Sequence, residues 1–177
     1  QGLLGHMPTA AEQAQLRHFF MQLIDSALEQ PRVLVHRDFH SRNLMLVGHG
    51  ELAVIDFQDA VIGPITYDLV SLLRDCYIQW PGAQVQEWAL TYLGLLRSRG
   101  VLADTDEALF LRWFDWMGLQ RHIKVLGTFA RLYLRDGKSA YLDDLPLVLH
   151  YTLEIVDKYA GEEPVFADFS TWFVLRL

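Results

Sequence analysis

The sequence holds one cysteine, three lysines and no apolar run of the ~18 residues that a bilayer crossing takes. The lone Cys76 excludes an internal disulfide framework and fits a reducing compartment, so the cytoplasm is the expected location. No basic start leads into a long apolar segment, so no secretory signal is read, and no membrane partner is expected. Twelve glycines and six prolines among 177 residues are too few for a collagen-like or low-complexity chain, and no internal repeat is visible. Basic charge is also short: the formal net charge is -7, a poor match for phosphate backbones, so nucleic acid is not expected as a partner. What is there is ordinary for a globular fold, with 51% hydrophobic and 21% charged residues, and dominant disorder is excluded. A single domain over residues 1–177 is expected.

Periodicity divides the chain into one helix, a small β unit and a helical bulk. Thr9 and Glu12 read as a capping box, followed by Leu16, Phe19, Phe20, Leu23, Ile24, Ala27 and Leu28 at helical spacing; Pro31 ends the pattern. Val33–Val35, Leu44–Val47 and Leu52–Ile55 read as three short apolar strands of one small sheet, covered by other structure, with Gly48-His49-Gly50 as a hairpin turn. After Pro64 a stripe from Leu69 to Trp80 reads as one helix, broken by Pro81-Gly82. Val85 to Leu96 form the next, ended by Gly100, and Asp104-Thr105-Asp106-Glu107 opens another that Gly118 or Gly127 should interrupt and Gly137 should end. Val148 to Tyr159 form a further helix, and Phe166 to Leu177 a short final one. The tryptophans and Cys76 sit on apolar stripes and read as core, Cys76 as a buried inert thiol.

The chemistry concentrates in Val35-His36-Arg37-Asp38-Phe39-His40-Ser41-Arg42-Asn43, set between two apolar strands, and in Ile55-Asp56-Phe57 at the end of a third. Asp38, Asn43 and Asp56 would then lie at edges of the sheet. Two carboxylates and one amide suit a hard divalent cation such as Mg²⁺. The alternative is that one of the carboxylates orients an attacking hydroxyl or takes its proton. His36-x-Asp38-x-His40 also alternates; on a true strand these three would share a face and hold Zn²⁺ or Fe²⁺, the set of a metal-dependent hydrolase.

H-R-D-x-x-x-x-N followed by an apolar strand, a turn and I-D-F resembles the catalytic and metal-binding segments of the protein-kinase-like fold. Gly63-Pro64-x-x-Tyr67-Asp68-Leu69 is similar to the aminoglycoside phosphotransferase family, which includes choline kinases. Within that family, Gln120-Arg121-His122-x-Lys124-Val125-Leu126-Gly127-x-Phe129-Ala130-Arg131 resembles bacterial kinases that phosphorylate the anomeric hydroxyl of N-acetylmuramate and N-acetylglucosamine in cell-wall recycling. The resemblance covers roughly residues 9–160. It implies an α+β, mostly helical fold: the C-terminal lobe of a kinase-like enzyme, with a catalytic loop over 36–43, a metal-binding segment over 55–59 and a helical subdomain over 65–177.

Carried over residue by residue, the resemblance implies that Asp38 positions the acceptor hydroxyl, that Asn43 and Asp56 hold Mg²⁺, and that Asp68 hydrogen-bonds the catalytic loop. ATP is the implied phosphate donor and an amino sugar the implied small-molecule acceptor; aminoglycoside and choline-type acceptors stay open. Arg37 stands where the antibiotic-modifying members commonly have glycine. His36 and Arg37 read as supports of the loop. His40 either touches substrate or caps the turn, and Asp59 is either an outer helper of the metal segment or a solvated acid. Arg121 and His122 either line an acceptor pocket or form an exposed polar face.

Kinases of this fold also need a Gly-rich loop and a strand lysine ahead of the catalytic loop. Only 37 residues precede Asp38, with just Gly2 and Gly5 among them, and Lys124, Lys138 and Lys158 all follow it. Together with a start at Gln1 rather than Met, this predicts that the N-terminal nucleotide-binding lobe is absent from the chain. The isolated chain should then turn over little substrate and self-associate through the face left open. A kinase-like lobe kept only for binding is the non-catalytic alternative.

Overall fold

The computed structural model describes residues 7–176; Gln1, Gly2, Gly5 and Leu177 lie outside them. Helix α1 (Ala10–Glu29) begins with the expected capping box, in which the Thr9 amide donates to Glu12 Oε2 at 2.7 Å and the Glu12 amide to Thr9 Oγ1 at 3.3 Å. Strand β1 (Arg32–Val35) follows, then β2 (Leu44–Val47) and β3 (Glu51–Val54). The Gly48–Gly50 turn joins β2 to β3 as an antiparallel hairpin, with His49 and Gly50 in left-handed conformations at φ 67° and 80°.

The expected single sheet is two separate ribbons. β1 pairs instead with a fourth strand, β4 (Val61–Pro64), antiparallel, with Val35 opposite Val61 and Arg32 opposite Pro64. Gly and Pro disguise β4 as a turn in the sequence. Gly63 is needed there, because a Cβ on it would stand 3.3 Å from Val35 Cγ2. The apolar strands are not covered as expected either: Met45, Leu46, Val47, Leu52 and Val54 are exposed.

Four corrections concern the rest of the chain. Helix α2 (Tyr67–Leu73) stops at Leu73 rather than running to Trp80, its C-cap Arg74 turning away at φ -125°, ψ 50°. α3 (Gly82–Ser98) matches expectation and ends at Gly100, φ 74°. α4 (Glu107–Asp136) is one 30-residue helix, uninterrupted at Gly118 and Gly127. The propensity cost of two glycines, about 1 kcal/mol each, is spread over a helix whose apolar face is packed. Asp106 Oδ2 caps its start by accepting from the amides of Ala108 and Leu109, and Gly137, φ 66°, ends it in an αL cap, with Gly137 N donating to Tyr133 O and Lys138 N to Leu132 O. α5 (Leu145–Tyr159) and α6 (Pro164–Val174) complete the chain. Cys76 is half-buried rather than buried, and Trp80 is exposed, whereas Trp113 and Trp116 are core as expected.

The chain falls into two compact units, one spanning Ser26–Gly118 and the other taking the segments on either side of it. The first holds the four described strands, α2, α3 and the part of α4 up to Gly118. Its core is Val70, Leu73, Val85, Ala89, Leu93, Phe110, Trp113, Phe114 and Met117. The Arg74–Asp115 ion pair, 2.8 Å, is buried in it, and Thr66 Oγ1 donates to Gln30 Oε1 at 2.7 Å, tying the chain before β1 to the start of α2. In the second unit Phe19 stacks on Phe169 at 3.9 Å and meets the edge of Phe166 at 5.2 Å, and Arg176 pairs with Glu12.

Candidate active site

The loop after β1 is held by a single carboxylate. Asp68, in the first turn of α2, accepts the His36 amide on Oδ2 at 2.7 Å and the Arg37 amide on Oδ1 at 3.0 Å. Charge-assisted bonds to two adjacent amides offset an unfavourable backbone: Arg37 has φ 78°, a left-handed conformation that glycine adopts far more readily. That is also the position where, by the resemblance, the antibiotic-modifying members commonly have glycine. Tyr92 on α3 has its phenol pushed up by burial and, secondly, by the Asp68 charge.

From there the loop knits itself together through backbone. The Asp38 carbonyl accepts the His40 amide at 3.0 Å and Asn43 Nδ2 at 2.9 Å, and a single 3-10 turn, Ser41–Asn43, leads into β2. The Asp38 side chain is left exposed. Asn43 Nδ2 also lies 3.5 Å from Asp56 Oδ2, while Gln58 Nε2 donates to Asp56 Oδ1 at 2.7 Å. Asp56 is a second left-handed residue, φ 67°, just past the end of β3. His36 Nε2 lies 2.9 Å from the Ile55 carbonyl, which makes that nitrogen the donor, and Arg37 Nη1 reaches the Asp59 carbonyl at 3.4 Å. His36, Arg37, Asp38, Asn43, Asp56, Asp59 and Asp68 therefore belong to one bonded network, although Asp59 joins it through its backbone and not its carboxylate.

The zinc or iron set read from His36, Asp38 and His40 does not form. β1 ends at Val35, and the left-handed turn at Arg37 breaks the alternation that would put the three on one face. Among the described residues no three His, Cys, Asp or Glu side chains are grouped to hold a metal ion. The oxygen donors of Asn43 and Asp56 fit a hard cation better: the Asn43 amide nitrogen is turned toward Asp38 and Asp56, which leaves its Oδ1 as an acceptor beside a carboxylate. Two protein donors suit Mg²⁺, which completes its shell with water and phosphate.

His40 sits edge-on to the Tyr77 ring, 5.8 Å between centroids. Arg121 and His122 belong to the other unit, and the expected exposed polar face is not what His122 makes: it is buried and stacked on Tyr151, centroids 5.0 Å apart. The sequence reading passed over Ser41, Arg42, Gln58, Asp75 and Tyr77. Ser41 Oγ donates to the buried Asp75 at 3.4 Å, and Arg42 lies over the Tyr77 ring. The available signal for Tyr77 was its place in a stripe that runs past the short α2.

The loop clamped by Asp68 and the Asn43–Asp56 pair flank one short antiparallel hairpin. A profile described as "Phosphotransferase enzyme family" matches residues 4–108, and the chain belongs to that family. It is 46% identical over 155 residues to an N-acetylmuramate/N-acetylglucosamine kinase of Neisseria meningitidis serogroup B, covering 85% of this chain and 46% of the relative. A protein of the same name from Pseudomonas putida is 43% identical over 165 residues, 93% of this chain and 47% of the relative, and one from Caulobacter vibrioides is 32% identical over 145 residues, 80% and 37%. The chain thus spans about half the length of the curated relatives it matches.

Proposed function

We propose that the full-length protein is a cytoplasmic kinase that transfers the γ-phosphate of Mg²⁺-ATP to the anomeric hydroxyl of an amino sugar, N-acetylmuramate or N-acetylglucosamine, in peptidoglycan recycling. The observation that carries the reading is the Asn43–Asp56 pair held beside Asp38 by a loop that Asp68 clamps. Sequence similarity to kinases of that name supports this acceptor over aminoglycosides and choline.

In this reading Asp38 accepts a hydrogen bond from the acceptor hydroxyl, aims its oxygen in line with the γ-phosphorus and takes the proton as the bond to phosphorus forms. Its carboxylate is free for this because the loop's internal bonds use its carbonyl instead. Asn43 and Asp56 would hold the cation, which when bound neutralises phosphate charge. His36, bonded to the Ile55 carbonyl, and Arg37, bonded to the Asp59 carbonyl, keep the loop and the 55–59 segment at fixed separation. The groups that hold the nucleotide phosphates would lie in a lobe outside this chain. In the full-length protein that lobe would cover the exposed faces of the two ribbons. Left bare, those faces are where copies of the chain would associate.

The test is steady-state sugar phosphorylation by the full-length protein with Asp38→Ala. The expected loss is about 10²–10⁴-fold in kcat with an unchanged melting temperature. Activity at the wild-type level would end the catalytic reading and leave a binding module.

A further inference from the structure

Arg42 occupies the turn Ser41–Asn43, immediately before Asn43. Its Cζ stands 3.3 Å from the centroid of the Tyr77 ring, a close face-on stack. Tyr77 is itself braced by the edge of His40 on the other side of the loop sequence. The guanidinium is exposed at the surface and, among the described residues, no carboxylate lies within ion-pair distance of it. Three other arginines of the same unit are paired: Arg74 engages Asp115, Arg97 engages Glu107 and Arg112 engages Glu29. Asp75, close to Tyr77 in the chain, is buried and bonded to Ser41 rather than to Arg42.

A guanidinium stacked by its face keeps its edge N–H groups free, in a plane already fixed. That is the arrangement that receives a planar carboxylate through two parallel hydrogen bonds, with little rotamer freedom left to lose. N-acetylmuramate differs from N-acetylglucosamine by a lactyl ether whose carboxylate is the only charge on the sugar. A chain of net charge -7 repels such a ligand at long range, so a dedicated cation beside the loop has something to overcome.

We propose that Arg42, held flat by Tyr77, binds the lactyl carboxylate of the acidic acceptor and so sets the preference between acidic and neutral amino sugars. The assignment rests on the kinase reading above. It makes Arg42 a specificity-determining residue of the same loop that carries Asp38: one short segment reads the reacting hydroxyl and the sugar's charge.

The experiment measures kcat and KM of the full-length protein with N-acetylmuramate, its lactyl methyl ester and N-acetylglucosamine. Arg42→Gln is expected to lower the ratio of kcat/KM for the acid over the neutral sugar by about tenfold or more, mostly through KM, as loss of a charge-assisted pair implies. The wild-type protein should handle the methyl ester as Arg42→Gln handles the acid. Tyr77→Phe keeps the ring and should keep the ratio; Tyr77→Leu removes it and should lower the ratio. A ratio unmoved by Arg42→Gln, an equal loss on both sugars, or an ester as good as the acid each overturns the assignment while leaving the kinase reading intact. A wild-type protein that phosphorylates neither sugar overturns both.

Discussion

Asp68 takes two consecutive amides with its two oxygens, the second that of Arg37 in its left-handed turn. Asp68→Asn would set an NH₂ group against one of those amides. We expect a loss of about 1–3 kcal/mol in denaturant unfolding, with a fall in kcat larger than the change in KM. Tyr77 offers a separate readout. Its phenol is pushed up to about 12, first by burial and then by Cys76, whereas an unfolded tyrosine titrates near 10.0. The folded state holds the proton more tightly, so the group's contribution to stability is complete below pH 10.0 and is lost as pH rises from there toward about 12. Tyrosinate absorbance should show a late-titrating fraction, to which Tyr92 also contributes, and Tyr77→Phe should reduce it. If that variant leaves the late fraction in place, the environment described for Tyr77 is wrong.

At the scale of elements, two glycines of α4 separate local propensity from packing. Nothing stands within 4 Å of a Cβ built on Gly127, whereas one on Gly118 would sit 3.3 Å from Arg74 Nη1. Gly127→Ala should raise stability by about 1 kcal/mol, and Gly118→Ala should gain less or lose, because it crowds the Arg74–Asp115 pair. Melting temperatures of the two variants decide this. The same contrast shows what the sequence made legible. The capping box, the hairpin turn and the ends of α3 and α4 were readable because each depends on residues a few positions apart. β4 was not, because Val61–Pro64 becomes a strand only by pairing with β1 some thirty residues earlier. The stop of α2 at Leu73 was hidden by an apolar stripe that continues without being helical. Asp38, Asn43 and Asp56 stood out through their spacing; Arg42 and Tyr77 did not, since a stacked pair 35 positions apart leaves no local pattern.

For the whole molecule, the β2–β3 hairpin is the telling surface. Leu46 and Leu52 face each other across it and are 78% and 66% exposed. If the rest of the full-length protein covers this face, replacing both by lysine should destabilise that protein by about 2 kcal/mol or more while barely moving the melting temperature of the 177-residue chain. Light scattering should also show the isolated chain associating and the double variant associating less. Equal effects in both proteins would mean that the hairpin is open in each. The unit Ser26–Gly118 has one more property: every lysine of the chain, Lys124, Lys138 and Lys158, lies outside it. Acetylation, biotinylation or cross-linking of side-chain amines therefore marks only the other unit, and the charges around Asp38 pass through such treatment unaltered.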